Sequence, residues 1–173
     1  YAVDALRQLC MRLLEKDELA RYHTQNDFFK SFEYINRHNP SCQIRELILQ
    51  SLTQMIRSRA RNIKSGWKNI FVVLSRDSAE RNDMLLLATA YDVVDVISRE
   101  EYMTCVVGSA VFVDYINCLV EFAVNAKLED IVLRAIKQIQ SCGTQLNSTA
   151  VAAKQPHVLE DANSHDHSVE ADA

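Results

Sequence analysis

The sequence predicts an all-α fold, and three observations support this prediction. The 173 residues include only three glycines and two prolines, which is too few for a sheet protein with many turns. Apolar residues recur at spacings of three and four along most of the chain, as they do in helices with one buried face. With 48% apolar residues, the chain can also fill the core of one domain of ordinary size.

Short apolar stripes predict the first two helices. The first stripe ends near Glu15, and residues 19–22 are expected to form one short turn. Asn26 or Asp27 is expected to cap the second helix, because either side chain can accept hydrogen bonds from the first turn. Pro40 stops this helix. The predicted buried residues are Val3, Leu6, Cys10, Leu13 and Leu14 in the first helix and Phe28, Phe32 and Ile35 in the second.

A long third helix is predicted to begin at Ser41, and Gly66 separates it from a fourth. The prediction assigns Gly66 to a sharp turn of the backbone, since glycine tolerates such conformations. Trp67 begins an apolar face of the fourth helix, and a large ring in such a pattern is expected to be buried. The predicted buried residues are Ile44, Leu47, Ile48, Leu52, Met55 and Ile56 in the third helix and Trp67, Ile70, Phe71 and Leu74 in the fourth.

Three further helices are predicted in the second half of the chain. Asp77 and Ser78 are expected to close the fourth helix and open the fifth, which continues to about Ser98. A later helix ends at Asn125, and the last one ends at Gly143, which is predicted to be its C-terminal cap. The predicted faces are Met84, Leu87, Ala88, Tyr91 and Val94, then Phe112, Tyr115, Ile116, Leu119 and Ala123, then Leu128, Ile131, Val132, Ala135, Ile136 and Ile139.

The order of these helices predicts a HEAT/armadillo-like helical repeat, an α-solenoid. Antiparallel helices of about 12 to 20 residues recur as pairs about 40 residues apart, which is the period of such repeats. A compact helical bundle is the alternative, because sequence identity between the pairs is weak. Residues 1–142 are predicted to form the helical-repeat domain. Residues 143–173 lack periodic apolar residues and are predicted to form a disordered acidic tail.

No motif for catalysis, for a cofactor or for a metal is present. The patterns GxxxxGK[ST], GxGxxG, HExxH and GxSxG do not occur. His23 and His38 lie near helix ends, where capping in solvent is the simpler explanation, and His165 and His167 lie in the tail. The five cysteines include no CxxC pair, and four of them lie among apolar residues, which is typical of reduced core thiols. We therefore expect no catalytic residue, no cofactor and no metal.

Hydropathy and the start of the chain bear on its setting. No apolar run reaches the roughly 18 residues that span a bilayer, and no signal segment opens the chain. We therefore expect a soluble cytosolic protein. The helical pattern is already present at Tyr1, so we expect the chain to be a fragment of a longer protein.

Charge is distributed unevenly, although the net charge is only −4. Residues 1–142 hold 18 basic and 18 acidic residues, so the acidic excess lies in the tail. No acidic residue occurs between Glu46 and Asp77. This window would attract an anionic partner through its long-range field. The basic residues around its central junction, which we call the basic cluster, are Arg57, Arg59, Arg61, Lys64 and Lys68.

The basic cluster also has a simpler explanation. Cations are favourable near the C-terminal end of a helix. In this explanation the cluster has no partner and is simply the solvated end of the third helix. Nucleic acid is not expected as a partner, because no binding module is recognisable and residues 1–142 are neutral overall.

Several segments closely resemble one known family. They are YAVDALRQL and LLEKDELA in the first 20 residues, DFFKSFEYI (27–35), IRELILQSLTQMI (44–56), NIKSGWKNIF (62–71) and CLVEFAVNAKLEDIVLRAIKQIQSC (118–142). The family is the large Golgi Arf guanine-nucleotide exchange factors of the brefeldin A-inhibited class. The region resembled is the first homology segment downstream of their catalytic exchange domain. The resemblance covers nearly all of residues 1–142 and is poorest over residues 99–111.

The resemblance implies a regulatory helical-repeat domain without exchange activity of its own. In this family a separate domain performs the exchange reaction. The downstream segment is thought to control Golgi membrane recruitment and autoinhibition in vesicle trafficking. The implied partners are an Arf-family small GTPase in its GTP form, other domains of the parent factor and anionic Golgi membrane, and the implied location is cytoplasmic and peripheral on Golgi or trans-Golgi membranes.

The resemblance also implies roles for the junction between the third and fourth helices. Gly66, Trp67, Ile70 and Phe71 form a structural motif, in which Trp67 and Phe71 are the anchors. The basic cluster is then the candidate contact with a GTPase or a membrane. The alternative is a generic helical-repeat scaffold that only positions neighbouring domains of its own chain.

Overall fold

The computed structural model describes residues 1–16, 24–107 and 109–152. Within these ranges all regular secondary structure is helical, so the all-α prediction is confirmed. None of the described helices is both long enough and apolar enough to cross a membrane. The helices are α1 (Ala2–Glu15), α2 (Thr24–His38), α3 (Cys42–Arg59), a 3-10 helix (Ala60–Asn62), α4 (Gly66–Ser78), α5 (Met84–Ile97), α6 (Glu100–Met103), α7 (Phe112–Asn125) and α8 (Glu129–Ala152).

The helices of residues 1–140 pack in two layers. In one layer α3 lies between α1 and α5, and in the other α4 lies between α2 and α7. Contacts of α1 with α2, of α2 with α3 and of α4 with α5 join the layers. Successive helices alternate between two layers in helical-repeat solenoids, where each helix packs on its neighbours. The packing is consistent with either predicted architecture, an α-solenoid or a helical bundle.

Aromatic and charged side chains attach the later helices to α5. The guanidinium of Arg134 in α8 lies over the ring of Tyr91, 4.8 Å from its centroid, and pairs with Asp95. Tyr91 meets Phe122 of α7 edge-on, with 5.1 Å between the ring centroids. Burial raises the pKa of Tyr91 to about 12. The start of α8 and the middle of α7 are thus fixed to the same helix.

The buried face of α2 differs from its prediction. The helix begins at Thr24, so Asn26 and Asp27 lie inside its first turn and are not its caps. Phe32 is buried as expected, but Phe28 and Ile35 are only half-buried. The buried face runs through Gln25, Phe29, Phe32 and Asn36. The prediction counted apolar residues only, whereas Gln25 and Asn36 are buried because their amides form hydrogen bonds.

The connection between α4 and α5 also corrects a prediction. α4 ends at Ser78 as expected, but α5 begins only at Met84. Asp83 is the residue that caps α5, since its side chain accepts a hydrogen bond from the backbone N–H of Leu86. Asp77 does not cap a helix, because its carboxylate is buried in the interior.

The exposed sides of α3 and α8 contain two residues that were predicted to be buried. Leu47 is 49% exposed and Ile136 is 40% exposed. In α3, Arg45 and Leu49 occupy the interior alongside the correctly predicted Ile48. The predicted end of α7 at Asn125 is confirmed, and its Tyr115 is fully buried.

Gly143 does not end the last helix, so this prediction is wrong. α8 continues through it to Ala152. A Cβ atom at Gly143 would have nothing within 4 Å, so glycine is not required there by packing. An interior glycine costs a helix about 1 kcal/mol relative to alanine, which the remaining turns of α8 tolerate.

The chain divides by its internal contacts into residues 1–140 and 141–173. The two layers described above belong to the first unit. Residues 143–152 of the predicted disordered tail lie in α8, whereas residues 153–173 lie outside the described residues. The predicted turn at residues 19–22 lies outside them as well. The domain assignment made from the sequence stays a prediction.

Candidate functional site

The basic cluster lies where α3 ends and α4 begins. Arg57 and Arg59 belong to the last turn of α3, and Arg61 belongs to the 3-10 helix. Lys64 lies in the connection, and Lys68 lies in the first turn of α4. All five residues are exposed. The structure therefore brings the five predicted cations to one helix junction at the surface.

Most of this charge is not neutralised by ion pairs. Arg59 Nη2 lies 3.6 Å from Glu15 Oε1, and both side chains are about half exposed, at 43% and 52%. Such exposed pairs contribute little to stability. Among the residues that the structure describes, Arg57, Arg61, Lys64 and Lys68 form no ion pair. Within the described residues, four cations of the cluster are thus not neutralised by a carboxylate.

Hydrogen bonds from buried side chains fix the backbone that carries these cations. The side chain of Gln25 is fully buried, and its Nε2 donates to the carbonyl oxygen of Asn62 at 2.8 Å. The backbone N–H of Lys64 donates to Gln25 Oε1 at 2.9 Å. Asn62 Nδ2 donates to the carbonyl oxygen of Leu14 at 2.6 Å. The junction is therefore attached to the end of α1 and to the start of α2.

Gly66 is required by a close approach, not by the turn that was predicted for it. It is the first residue of α4. A Cβ atom at this position would lie 2.6 Å from Cδ2 and 2.7 Å from Cε2 of Phe29. Real Cβ atoms do not approach other atoms so closely, and Phe29 is only 1% exposed. Glycine thus lets α4 pack directly on the aromatic face of α2.

The other residues of the predicted motif are buried. Trp67 is 1% exposed, Ile70 is fully buried and Phe71 is 2% exposed. The rings of Trp67 and Phe71 stack with 5.8 Å between centroids, and Phe71 contacts Tyr115 of α7 at 5.6 Å. The burial predicted for Trp67 is confirmed. These side chains anchor α4 between α2 and α7.

Of the four histidines considered in the sequence analysis, the structure describes only His38. His38 is exposed at the end of α2, and its Nδ1 lies 2.9 Å from the carbonyl oxygen of Tyr34. His23, His165 and His167 lie outside the described residues. Burial raises the pKa of Cys10 and of Cys118 to about 12, so neither thiol is a nucleophile at neutral pH. In the part of the chain that the structure describes, no group of three potential metal ligands occurs.

A buried charge network was missed by the sequence analysis. Arg45 donates through Nε and Nη2 to Asp77 Oδ1, and through Nη1 to Glu80 Oε2 at 2.5 Å. Asn36 Nδ2 donates to Asp77 Oδ2 at 3.0 Å. The network joins α2, α3 and the end of α4. One signal was present in the sequence, since Arg45 precedes Ile48, Leu52 and Ile56 at the spacing of the buried face.

The side chain of Glu80 completes this network near the surface. The backbone N–H of Asn82 and then the Arg45 guanidinium hold the pKa of Glu80 at about 2. A carboxylate that stays ionised can accept these bonds throughout the neutral range. The network holds α2, α3 and the end of α4 together, and none of its residues belongs to the basic cluster.

Comparison with known proteins assigns the region that carries this junction. Residues 12–96 match the family model described as Sec7-like HDS, "Mon2/Sec7/BIG1-like, HDS". This stretch includes α2, α3 and α4 with the basic cluster, as well as the motif from Gly66 to Phe71. Residues 12–96 therefore form an HDS region of the Mon2/Sec7/BIG1-like family, and the chain belongs to that family.

Individual relatives agree with this assignment. The chain is 37% identical over 158 residues to brefeldin A-inhibited guanine nucleotide-exchange protein 1 of Rattus norvegicus, and the figures for the protein of that name from Homo sapiens are the same. The alignment covers 90% of this chain and 8% of the relative. The chain is also 38% identical over 150 residues to brefeldin A-inhibited guanine nucleotide-exchange protein 4 of Arabidopsis thaliana. That alignment covers 84% of this chain and 9% of that protein. The chain thus spans less than a tenth of the relatives' length.

Proposed function

We propose that this chain is a non-catalytic regulatory domain of an Arf guanine-nucleotide exchange factor. The match to the HDS family model and the 37% identity to exchange proteins support the proposal. Nucleotide exchange is then the work of a separate domain in a longer protein. This domain controls recruitment to Golgi or trans-Golgi membranes and autoinhibition during vesicle trafficking, and it acts from the cytoplasmic side as a peripheral protein.

The partner in this proposal is an Arf-family small GTPase in its GTP-bound form, acting together with the anionic membrane that carries it. Other domains of the parent factor are the intramolecular partners. The observation that carries the proposal is the basic cluster, which holds five exposed cations on a hydrogen-bonded junction, four of them without an ion pair among the described residues. A surface of this kind favours anionic partners and requires little ordering when it binds them.

The size of the electrostatic effect limits what the cluster does alone. Each exposed cation near an anionic membrane contributes roughly 1 kcal/mol, so the four unpaired cations contribute about 4 kcal/mol at low salt. At cellular salt the Debye length is about 8 Å, which reduces this contribution. Stable recruitment therefore requires a second attachment, which the GTPase supplies through bivalent binding.

The first experiment asks whether the complete chain distinguishes the two nucleotide states of the GTPase. Purified chain is passed over immobilised Arf loaded with GTP or with GDP, and binding is measured by surface plasmon resonance. We expect binding to the GTP form only. Equal binding to both forms, or binding to neither, would refute the regulatory proposal.

The second experiment tests the basic cluster by charge reversal. The test variant carries Arg57→Glu, Arg61→Glu and Lys64→Glu, and Arg59 is left in place because it pairs with Glu15. It is compared with wild type on vesicles of phosphatidylcholine with and without phosphatidylserine, and on GTP-loaded Arf, across a salt series. Circular dichroism establishes that the helices remain.

A matched control separates the position of the charges from their number. The control variant carries Arg81→Glu, Lys127→Glu and Lys137→Glu, which are exposed residues distant in sequence from the junction. It changes the net charge by the same amount. We expect the test variant to lose binding and the control to retain most of it. Loss of GTPase binding alone would assign the cluster to the protein partner, and equal losses in both variants would reduce it to a nonspecific charge effect.

A second candidate function is a scaffold that only positions neighbouring domains. One observation favours it, namely an exposed apolar stripe on α7 formed by Val113, Val120 and Val124, which are 64%, 42% and 75% exposed. Residues at these spacings share one face of a helix, and such a face suits packing against a further helix. Failure to bind GTP-loaded Arf and anionic vesicles, together with binding in trans to adjoining segments of the parent factor, would favour the scaffold.

A further inference from the structure

One carboxylate lies against the basic cluster, and the proposed function does not account for it. Glu15 is the last residue of α1, and its Oε1 lies 3.6 Å from Arg59 Nη2. Of the carboxylates that the structure describes, Glu15 alone forms an ion pair with a member of the cluster. The cluster therefore already holds one anionic group, which belongs to the chain itself.

The stability of α1 does not explain an acidic residue at this position. The C-terminal end of a helix carries a partial negative charge, so a carboxylate in the last turn is unfavourable. The pair with Arg59 contributes little in return, because the side chains of Arg59 and Glu15 are 43% and 52% exposed. Neither the helix nor the pair thus gives a stability reason for an acid at position 15.

The backbone that carries Glu15 is attached to the backbone of the cluster. Asn62 Nδ2 donates to the carbonyl oxygen of Leu14, the residue before Glu15, at 2.6 Å. Leu14 is fully buried, whereas the side chain of Glu15 is half exposed. Because this attachment keeps the carboxylate close to Arg59, its effective concentration there is far higher than that of a free carboxylate in solution.

We propose that Glu15 is a built-in competitor for the basic cluster and sets how strongly the cluster binds an anionic surface. In the free chain Glu15 pairs with Arg59. An anionic surface that binds the cluster displaces Glu15 from this pair and gains Arg59 as a further contact. Weakly charged surfaces are thereby disfavoured, because only a densely charged one supplies enough attraction to displace the carboxylate.

The inference rests on the proposed function for the identity of the anionic surface, but the competition itself does not depend on that identity. Glu15→Gln tests the competition, because it removes the negative charge and keeps the shape of the side chain. Exposed pairs contribute little to stability, so the variant is expected to remain folded. Circular dichroism establishes that its helices remain.

A matched control separates the position of the lost carboxylate from the change in net charge. Glu33→Gln changes the net charge equally and frees Arg37, which pairs with Glu33 at 3.1 Å on α2. Arg37 lies about 18 Å along the axis of α2 from Gln25, the residue that contacts the junction. The cation that the control frees is therefore distant from the basic cluster.

Two probes distinguish this inference from the proposed function. Elution from a heparin column in a salt gradient reports the cations that an anion can reach, and it requires neither a membrane nor a GTPase. Binding to vesicles of phosphatidylcholine with a rising fraction of phosphatidylserine then shows whether the competition acts on the proposed membrane partner. Both are measured with the complete chain, for wild type and for each variant.

We expect Glu15→Gln to elute from heparin at higher salt than Glu33→Gln and to bind the vesicles about fivefold more tightly at low salt. This factor corresponds to roughly 1 kcal/mol for one further cation near an anionic membrane. The gain should shrink as the salt concentration rises. It also separates competition from a structural role of Glu15, since a damaged fold would not bind more tightly.

A second substitution shows whether Glu15 acts through Arg59. In the Arg59→Gln background, Glu15→Gln should change binding no more than Glu33→Gln does, because the cation that it would release is gone. Coupling between the substitutions at positions 15 and 59 is the result expected of two groups that share one contact.

The inference is overturned if Glu15→Gln and Glu33→Gln elute from heparin at the same salt, or if Glu15→Gln keeps its full effect without Arg59. Binding of wild type to the vesicles with no gain for Glu15→Gln would uphold the membrane as a partner and overturn the inference. Later elution of Glu15→Gln from heparin, while no variant binds the vesicles, would support the competition and refute the membrane as the partner.

Discussion

Replacing Gly66 with alanine tests the close approach of α4 to α2. The added Cβ atom would lie 2.6 Å, 2.7 Å and 3.1 Å from three ring carbons of Phe29. The ring has little room to yield, because Phe29 is 1% exposed and lies beside Phe32 with 6.3 Å between centroids. Relief therefore requires movement of α4 or of the Phe29 side chain from its packed position.

Opposing terms determine the magnitude of this effect. Overpacking of a well-filled core costs about 1–3 kcal/mol. Alanine in place of glycine regains up to about 1 kcal/mol of helix propensity, and less than that at a first helical position. We therefore expect Gly66→Ala to lower the free energy of unfolding by about 1–2 kcal/mol. In a protein of this size that lowers the Tm by about 2–8 °C.

The assay is urea unfolding followed by circular dichroism and by the fluorescence of Trp67. Gly143→Ala is the matched control, since its Cβ atom would meet nothing within 4 Å. That variant should be at least as stable as wild type. A double-mutant cycle with Phe29→Leu adds a second test, because the smaller side chain should make Gly66→Ala less costly than it is beside Phe29.

One result would refute the reasoning about Gly66. If Gly66→Ala were as stable as wild type while the Phe29→Leu cycle showed no coupling, the glycine would not be required by packing against α2. The residue would then have to be explained by its neighbours in the α3–α4 connection.

Three further predictions concern Trp67 and the charge network of Arg45. Trp67→Ala should cost about 3–5 kcal/mol through lost burial and a residual cavity, and an unchanged denaturation midpoint would contradict its role as an anchor. Arg45→Met should cost about 3–5 kcal/mol in thermal unfolding, because it leaves the Asp77 carboxylate buried without its cation. Adding Asp77→Asn to this variant should recover part of the lost stability. If it recovered none, the unpaired Asp77 carboxylate would not be the cause of the loss. The folded pKa of Glu80, about 2, lies below its ordinary value of 4.5, so the stability that the Glu80 carboxylate contributes is present above pH 4.5 and is lost as the pH falls towards 2. The difference in unfolding free energy between wild type and Glu80→Gln should therefore be constant from pH 5 to 7 and shrink on acidification. A difference that does not depend on pH would argue against this role of Glu80.

The helical spacing of apolar residues predicted the fold well where apolar residues alone determine which face of a helix is buried. The apolar face of α7 with its buried Tyr115, and the burial of Trp67, followed from apolar residues at helical spacing. The face of α2 was predicted wrongly because Gln25 and Asn36 are in the interior, and their partners Asn62 and Asp77 are 37 and 41 residues away in sequence. Polar burial depends on such distant pairs, which periodicity does not report.

For the candidate site, the sequence predicted which basic residues form the cluster but not the hydrogen bonds that hold their backbone in place. The acid-free window identified the basic cluster, and the structure places its members at one exposed junction. The hydrogen bonds of Gln25 that hold this junction could not be predicted from spacing. The same is true of the reason for Gly66, since the contact with Phe29 exists only after α2 and α4 pack.

The double hydrogen bond of Gln25 has a consequence for how this family can vary. The side-chain amide of Gln25 accepts from the N–H of Lys64 and donates to the C=O of Asn62. Both bonds form only when the backbone from residue 62 to residue 64 has its present length. An inserted or deleted residue between positions 62 and 64 would move one of these two groups out of reach and leave a buried amide half satisfied. Length changes in relatives should therefore occur in other connections. The α3–α4 connection is, in this sense, a segment whose residues can be exchanged but whose length cannot.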